Sequence, residues 1–191
     1  MTDRIRSAHA NSRGRREFLR LGVLGAACAL GPGVSLAGLA PAEDRERTLD
    51  FYNLHTGEAL HTVYWAEGAY VRQSLSEINH ILRDHRTNEV NAIDVALLDL
   101  LHRIRSGLDT TASIHVISGY RSPATNAMLV AHSDGVASRS LHMEGKAIDI
   151  RVPGRELGQV HATAMMLRSG GVGYYPTSDF VHMDVGRVRH W

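Results

Sequence analysis

Cysteine is almost missing. The 191 residues hold one, Cys28, and it sits in an N-terminal stretch with the features of an export leader, so the mature chain has none. That excludes a disulfide framework and a thiolate metal ligand, and leaves His, Asp and Glu as the only strong ligands for a metal. A hydrophobic run long enough to cross a bilayer is missing too. The apolar stretch Leu21–Leu30 is short and contains glycine, which argues against a spanning helix. An excess of one charge is also absent. The chain carries 21 basic and 20 acidic residues, and residues 1–42 hold six arginines against two acids, Asp3 and Glu17. Residues 43–191 therefore have 15 bases and 18 acids, a formal charge of −3. The basicity belongs to the leader, and no basic patch interleaved with aromatics remains, which excludes a nucleic-acid partner. There is no H-E-x-x-H, so this is not a helix-based zincin, and there is no repeat or low-complexity tract.

The leader itself is well marked. Arg15-Arg16-Glu17-Phe18-Leu19 is a twin-arginine pair with an apolar follow-up. A short apolar core and Ala40-Pro41-Ala42, an A-x-A cleavage site, complete a secretory signal. The arginine pair points to the route that exports folded proteins, and hence to the periplasm or beyond. Cys28 follows small residues, as the acylated cysteine of a lipoprotein would, but Gly25 stands where such a site wants Leu. The expected organisation is a leader over 1–42 and one domain over 43–191. With the leader removed, no transmembrane segment is expected, and nothing calls for an oligomer.

Residues 43–48 are charged and read as a linker. Leu49–Leu54 and Glu58–Trp65, aromatic and β-branched, flank His55-Thr56-Gly57 and predict a hairpin. Ser74-Leu75-Ser76-Glu77 opens a helix, and Asn91 with Asp94 predicts the cap of a second, with Ile93, Leu97, Leu100, Leu101 and Ile104 at helical spacing. Ile114–Ile117 is a predicted strand, followed by a helix over 123–132 with Ser122-Pro123 at its start. A loop over 133–141, a strand over 147–152, a helix over 155–168, a turn over 170–173 into a strand at Tyr174-Tyr175, and a last strand over 180–185 complete the chain. Helices come first and strands interleave later, so the class is α+β with a small, mostly antiparallel sheet packed with helices.

Twelve histidines is a high count, but most have no partner at ligand spacing. His80, His85, His102 and His161 lie on predicted helix segments, and His55 and His61 flank the hairpin; each reads as a surface or structural residue. His115 alternates with apolar strand residues and reads as a core histidine. One cluster stands apart, Ser140-Leu141-His142-Met143-Glu144-Gly145-Lys146-Ala147-Ile148-Asp149. It puts His142 at the end of a loop and Asp149 on the strand that follows, with Gly145 permitting a sharp approach. Ala147 and Asp149 face one way and Ile148 and Ile150 the other. A carboxylate among apolar neighbours is costly to bury unless it is paired or bound to a metal. His182 has a similar setting, Phe180-Val181-His182-Met183. Two histidines and one carboxylate leave a fourth position open, as a catalytic metal requires. On spacing alone a His–Asp hydrogen-bonded pair without metal explains these residues as well.

Ser140-x-His142-x-x-Gly145-x-Ala147-x-Asp149 resembles the S-x-H-x-x-G-x-A-x-D signature of the zinc D-alanyl-D-alanine carboxypeptidase and lysostaphin-related metallopeptidases. Ser118-Gly119-Tyr120-Arg121-Ser122 is similar to that family's arginine segment, and His182 falls at its second histidine ligand. Gly171–Pro176 and the tail Phe180–Trp191 resemble the murein endopeptidase K branch, whose members are exported with a twin-arginine signal. The resemblance implies a fold of the Hedgehog/DD-peptidase type and a zinc ion on His142, Asp149 and His182. It also implies Arg121 as the anchor of a substrate carboxylate or oxyanion, and peptidoglycan stem peptides as substrate. The family places its general base three residues before the last histidine, which is Asp179 here. Asp184, at i+2 from His182 on the same strand face, competes for that role. Ser140 is expected to support a ligand, Glu144 and Asp134 to be loop acids, and Phe180 stands where some relatives have a further histidine. Three functions stay open at this point. One is an endopeptidase cutting stem-peptide cross-links, including those joining two diaminopimelates. The others are a carboxypeptidase trimming the terminal D-alanine and a non-catalytic metal-binding cell-wall module.

Overall fold

The computed structural model describes residues 45–132 and 135–191. The leader, Cys28 and Asp134 lie outside the described residues. The predicted hairpin forms from β1 (Glu46–Asn53) and β2 (Ala59–Ala66), paired antiparallel. Asn53 closes the turn, its Oδ1 accepting from the backbone N–H of His55 and Thr56, and Gly57 takes φ 72. The segment expected as a linker up to residue 48 is already strand from Glu46, because Leu49 and Phe51 anchor β1 in the core and pull the charged residues before them into register.

The remaining elements are β3 (Ala69–Tyr70), α1 (Arg72–Ile81), α2 (Val95–Gly107), β4 (Ile114–Ser118), α3 (Pro123–His132), β5 (Ala147–Arg151), α4 (Leu157–Leu167), β6 (Gly171–Tyr175), β7 (Phe180–Asp184) and β8 (Arg189–His190). Capping decides several boundaries. Ser122 starts α3 as expected, its Oγ accepting from the Thr125 N–H. The cap of α2 is Asp94, whose carboxylate accepts from the Ala96 N–H, and Asn91 plays no part. In α4, Glu156 and Gln159 form a reciprocal capping box.

All eight strands form one sheet in the order β3-β2-β1-β4-β5-β7-β6-β8. Only β1–β4 and β6–β8 run parallel. The class is α+β and the pairing mostly antiparallel, as expected, although the sheet is larger than the sequence pattern suggested. Its two faces differ. Leu49, Phe51, Ile114, Val116, Ile148, Ile150, Val181 and Met183 share a core with Ile78 and Leu82, with Leu97, Leu98, Leu101 and Ile104 of α2, and with Val160 and Ala164 of α4. Each such buried Val, Leu, Ile, Phe or Met side chain contributes about 1.5–3 kcal/mol relative to exposure. The alternate residues of the same strands, among them Asp149 and His182, necessarily face the other way.

Candidate metal centre

Asp149 on β5 lies directly across from His182 on β7, and His182 in turn lies across from Gly173 on β6. On the other side of β5, Ser118 is the partner of Asp149. The sheet thus holds one acid and one histidine side by side in a single cross-strand row. Gly173 leaves space in that row. A Cβ there would lie 2.7 Å from the ring of Trp191, which packs beside the His182 ring with centroids 5.3 Å apart.

His142 reaches the same point from a 3₁₀ turn, Leu141–Glu144. Ser140 starts that turn, its Oγ accepting from the His142 N–H at 3.3 Å, so it supports the backbone of His142 and not its ring. Gly145 ends it at φ 66. A Cβ at Gly145 would stand 2.1 Å from the Ala92 carbonyl oxygen, and the Gly145 carbonyl accepts from the Asp94 N–H. Only glycine satisfies both the left-handed backbone and this approach.

Hydrogen bonds orient both rings. His142 Nδ1 lies 2.8 Å from the Gly119 carbonyl, an acceptor only, so Nδ1 carries the proton and Nε2 presents its lone pair. His182 Nε2 lies 3.1 Å from Asp184 Oδ2, which puts the proton on Nε2 and the lone pair on Nδ1. The two lone pairs converge. His182 Nδ1 is 2.8 Å and His142 Nε2 3.3 Å from Asp149 Oδ1, and the two nitrogens are 3.2 Å apart. One donor atom from each of the three residues lies within 4.8 Å of the others.

The electrostatics fit a cation. Burial pushes the Asp149 carboxyl up, but positive charge and a donated hydrogen bond at His142, then at His182, outweigh it when those rings are protonated and hold the group below the usual carboxylate range. Burial works against a charged His182, yet Asp149 and Asp184 together raise its pKa. Two anions flank a nearly buried imidazole, so the site favours positive charge, which a divalent metal supplies. The donor set of two neutral imidazole nitrogens and a carboxylate suits such an ion, with the outer hydrogen bonds already in place. The metal centre expected from the sequence is therefore a convergent site in the fold.

Asp184 is fully buried. Besides His182 it accepts from the N–H groups of Gly171 and Gly186 and from both terminal nitrogens of Arg189. With its lone pairs engaged, it orients His182. Asp179 stands elsewhere. The chain does turn before Phe180, through a short 3₁₀ turn at Pro176–Ser178, and Asp179 follows it at φ 54. Its carboxylate binds Arg151 Nη1 at 2.6 Å and its side chain is 59% exposed. The structure brings His142, Asp149, His182 and Arg121 together; the hydrogen bond and ion pair of Asp179 among the described residues go to Arg151 and not to the trio.

Arg121 directs Nη2 to within 3.7 Å of Asp149 Oδ2. Its other contacts are long, 3.4 Å to Asn126 Oδ1 and 3.5 Å to Ser118 Oγ, and its buried Nε has no partner. Burial lowers its pKa, partly offset by Asp149. A desolvated guanidinium with donors to spare is a ready anchor for an anionic ligand. It opens onto a cleft of about 410 Å³ above the trio, lined also by Arg139, Tyr175, Phe180, Arg189 and Trp191.

Residues 41–191 match the family described as peptidoglycan L,D-endopeptidase MepK. The chain belongs to this family. It is 41% identical over 177 residues to the peptidoglycan L,D-endopeptidase MepK of Escherichia coli strain K12, covering 93% of this chain and 96% of that protein. It is 40% identical over 178 residues to the probable peptidoglycan L,D-endopeptidase MepK of Haemophilus influenzae, covering 93% and 95%. As a member of a peptidase family with a His-Asp-His metal centre, the chain is a metallopeptidase.

Of the other sequence readings, Glu144 is a surface acid, paired with Lys146. His55 and His85 stack on each other, centroids 3.8 Å apart. His115 is not a core histidine. It alternates with Ile114 and Val116 because it faces away from the core, toward the side of the sheet that holds the trio. The orienting carbonyl of Gly119 had no side-chain signal to betray it. Asp184 did have one, its i+2 spacing from His182, which reads equally as a base or as an orienting partner.

Proposed function

We propose that this chain is an exported zinc peptidase that hydrolyses the L,D cross-links of peptidoglycan, the bonds joining the diaminopimelates of two stem peptides. The observation that carries this reading is the convergence of His142 Nε2, His182 Nδ1 and Asp149 Oδ1, with both tautomers set from outside, beneath an arginine-lined cleft. Two imidazoles and one carboxylate suit zinc with its fourth position open. The names of the relatives supply the bond class. The cleft supports an acidic substrate. Arg121, Arg139 and Arg189 line it, and Asp149 is the one carboxylate among its described lining residues. Stem peptides carry free carboxylates.

When bound, zinc polarises the scissile carbonyl and makes water a stronger acid. The chain's own groups do the rest. Arg121 holds a substrate carboxylate close to the reacting bond. Asp184 holds His182 in its tautomer. Asp179 takes the proton from the attacking water and passes it to the leaving amine. It is the solvent-accessible carboxylate of the two, in the turn that leads into the strand carrying His182. Its exposed ion pair with Arg151 is worth only about 0–1 kcal/mol and opens readily. Residues 1–42 carry the enzyme out of the cytoplasm by the twin-arginine route, and residues 43–191 act as a monomer.

Mass spectrometry of a digest of cross-linked sacculi tests this. The reading expects dimers joined through two diaminopimelates to fall to monomers. Loss of a terminal D-alanine alone would make the enzyme a carboxypeptidase, and an unchanged profile with metal bound would make it a binding module.

A further inference from the structure

One row beyond the metal trio, the same face of the sheet carries a second set of side chains that the reaction above does not use. Tyr52 on β1 pairs with His115 on β4, and His115 with Arg151 on β5. Arg151 is two residues from Asp149 on one strand, so it shares that face and lies about 7 Å along it. On β7, Phe180 is two residues from His182 and is stacked on Tyr175 of β6, centroids 4.5 Å apart. Tyr175 and Phe180 also line the cleft. The row therefore continues the cleft along the sheet and carries one cation.

Three features mark Arg151 as a recognition group. Its side chain is 40% exposed, and its ion pair among the described residues is with the carboxylate of Asp179. Its neighbour His115 has a buried Nδ1 with no hydrogen-bond partner. Burial, then the charge of Arg151, lowers the His115 pKa, so this ring is neutral and does not compete for an anion. Tyr52 and Phe180 bound the pair with aromatic surface.

We infer that Arg151 is a second carboxylate subsite, one strand row along from Asp149 and so from the carboxylate that Arg121 faces, for a substrate bearing a carboxylate on each side of the scissile bond, and that Asp179 fills this subsite until substrate displaces it. This rests on the endopeptidase reading. A cross-link between two diaminopimelates has such carboxylates, one on each residue. Arrival of the second at Arg151 releases Asp179 at the moment its proton acceptor is needed. A substrate lacking that carboxylate gains no contact at Arg151 and must compete with nothing stronger than this weak pair, so it loses binding and not the base.

The test compares zinc-loaded wild type with Arg151→Gln on two synthetic cross-linked peptides, one with free diaminopimelate carboxylates and one with the carboxylate on the leaving side amidated. Wild type should favour the acid by about 10–100-fold in kcat/KM, the range of a charge-assisted pair. Arg151→Gln should bind zinc normally and lose the preference, mainly through KM on the acid. Equal loss on both peptides, or a preference retained in Arg151→Gln, overturns the subsite while leaving the endopeptidase intact. Cleavage of neither peptide by wild type overturns the endopeptidase reading and the subsite with it.

Discussion

Replacing Asp184 by Asn isolates the part of the site that holds a ligand without touching the metal. The carboxylate fixes His182 through a 3.1 Å hydrogen bond from Nε2 and takes two more from Arg189 and two from backbone N–H groups. An amide keeps the shape, loses the charge, and has one oxygen for all these donors. Removing an orienting carboxylate of this kind lowers metal affinity about 10–100-fold, which is about 1.4–2.7 kcal/mol. Leaving a buried charge unpaired costs about 3–5 kcal/mol, but Arg189 is 31% exposed, so the loss of folding stability should be at or below about 3 kcal/mol. Competition with a chromophoric chelator measures the first quantity. Urea unfolding in excess chelator measures the second separately. Asp179→Asn is the control, with wild-type metal affinity and kcat down by about 10²–10⁴ as expected for a lost base. A folded Asp184→Asn protein with wild-type affinity for zinc would refute the orienting role. If it also lost kcat by that factor while Asp179→Asn did not, Asp184 would be the base.

Gly145→Ala should destabilise the fold by about 2–4 kcal/mol in urea unfolding, from left-handed strain plus the Ala92 carbonyl 2.1 Å from the new Cβ; a loss under about 0.5 kcal/mol would contradict the close approach. Asp84 supplies the pH dependence. Burial raises its pKa, but hydrogen bonds from Thr125, from the Ser122 and Arg86 N–H groups and from the Ser122 hydroxyl outweigh that and hold it well below the usual range. A group depressed in the folded state stabilises above its unfolded value, about 3.9, and that stability is lost as pH falls below it toward the folded value. Asp84→Asn should therefore be less stable than wild type at pH 7, with the difference shrinking from about pH 4 downward in urea unfolding; a gap that stays constant with pH would contradict the assignment.

The ligand set was legible through the resemblance of Ser140–Asp149 to the metallopeptidase signature, and the direction of two of its side chains through period-two alternation, a strict geometric rule. Ile148 and Ile150 had to face the helices, so Asp149 had to face away, and the same holds for His182 between Val181 and Met183. His142 was legible through Gly145, whose chemistry announces a turn. What escaped was set by tertiary contact. The two-residue strands β3 and β8 exist because β2 and β6 have free edges to pair with, and no pattern of two residues signals that. Gly171 reads as a turn residue, yet it starts β6 by pairing with Arg189, and it is glycine there because a Cβ would meet the Asp184–Arg189 pair. His115 looked like a core residue because a half-exposed strand and a buried one alternate alike. The two acids near His182 could be told apart only by partners, Arg189 and backbone N–H groups for Asp184 and Arg151 for Asp179.

The most direct test is zinc content and cross-link cleavage measured on the same purified samples of wild type, His142→Ala, Asp149→Ala and His182→Ala. The account predicts one zinc per wild-type chain and conversion of diaminopimelate-linked dimers to monomers, with both lost together in each folded variant. A folded variant that binds no zinc and still cleaves would contradict it.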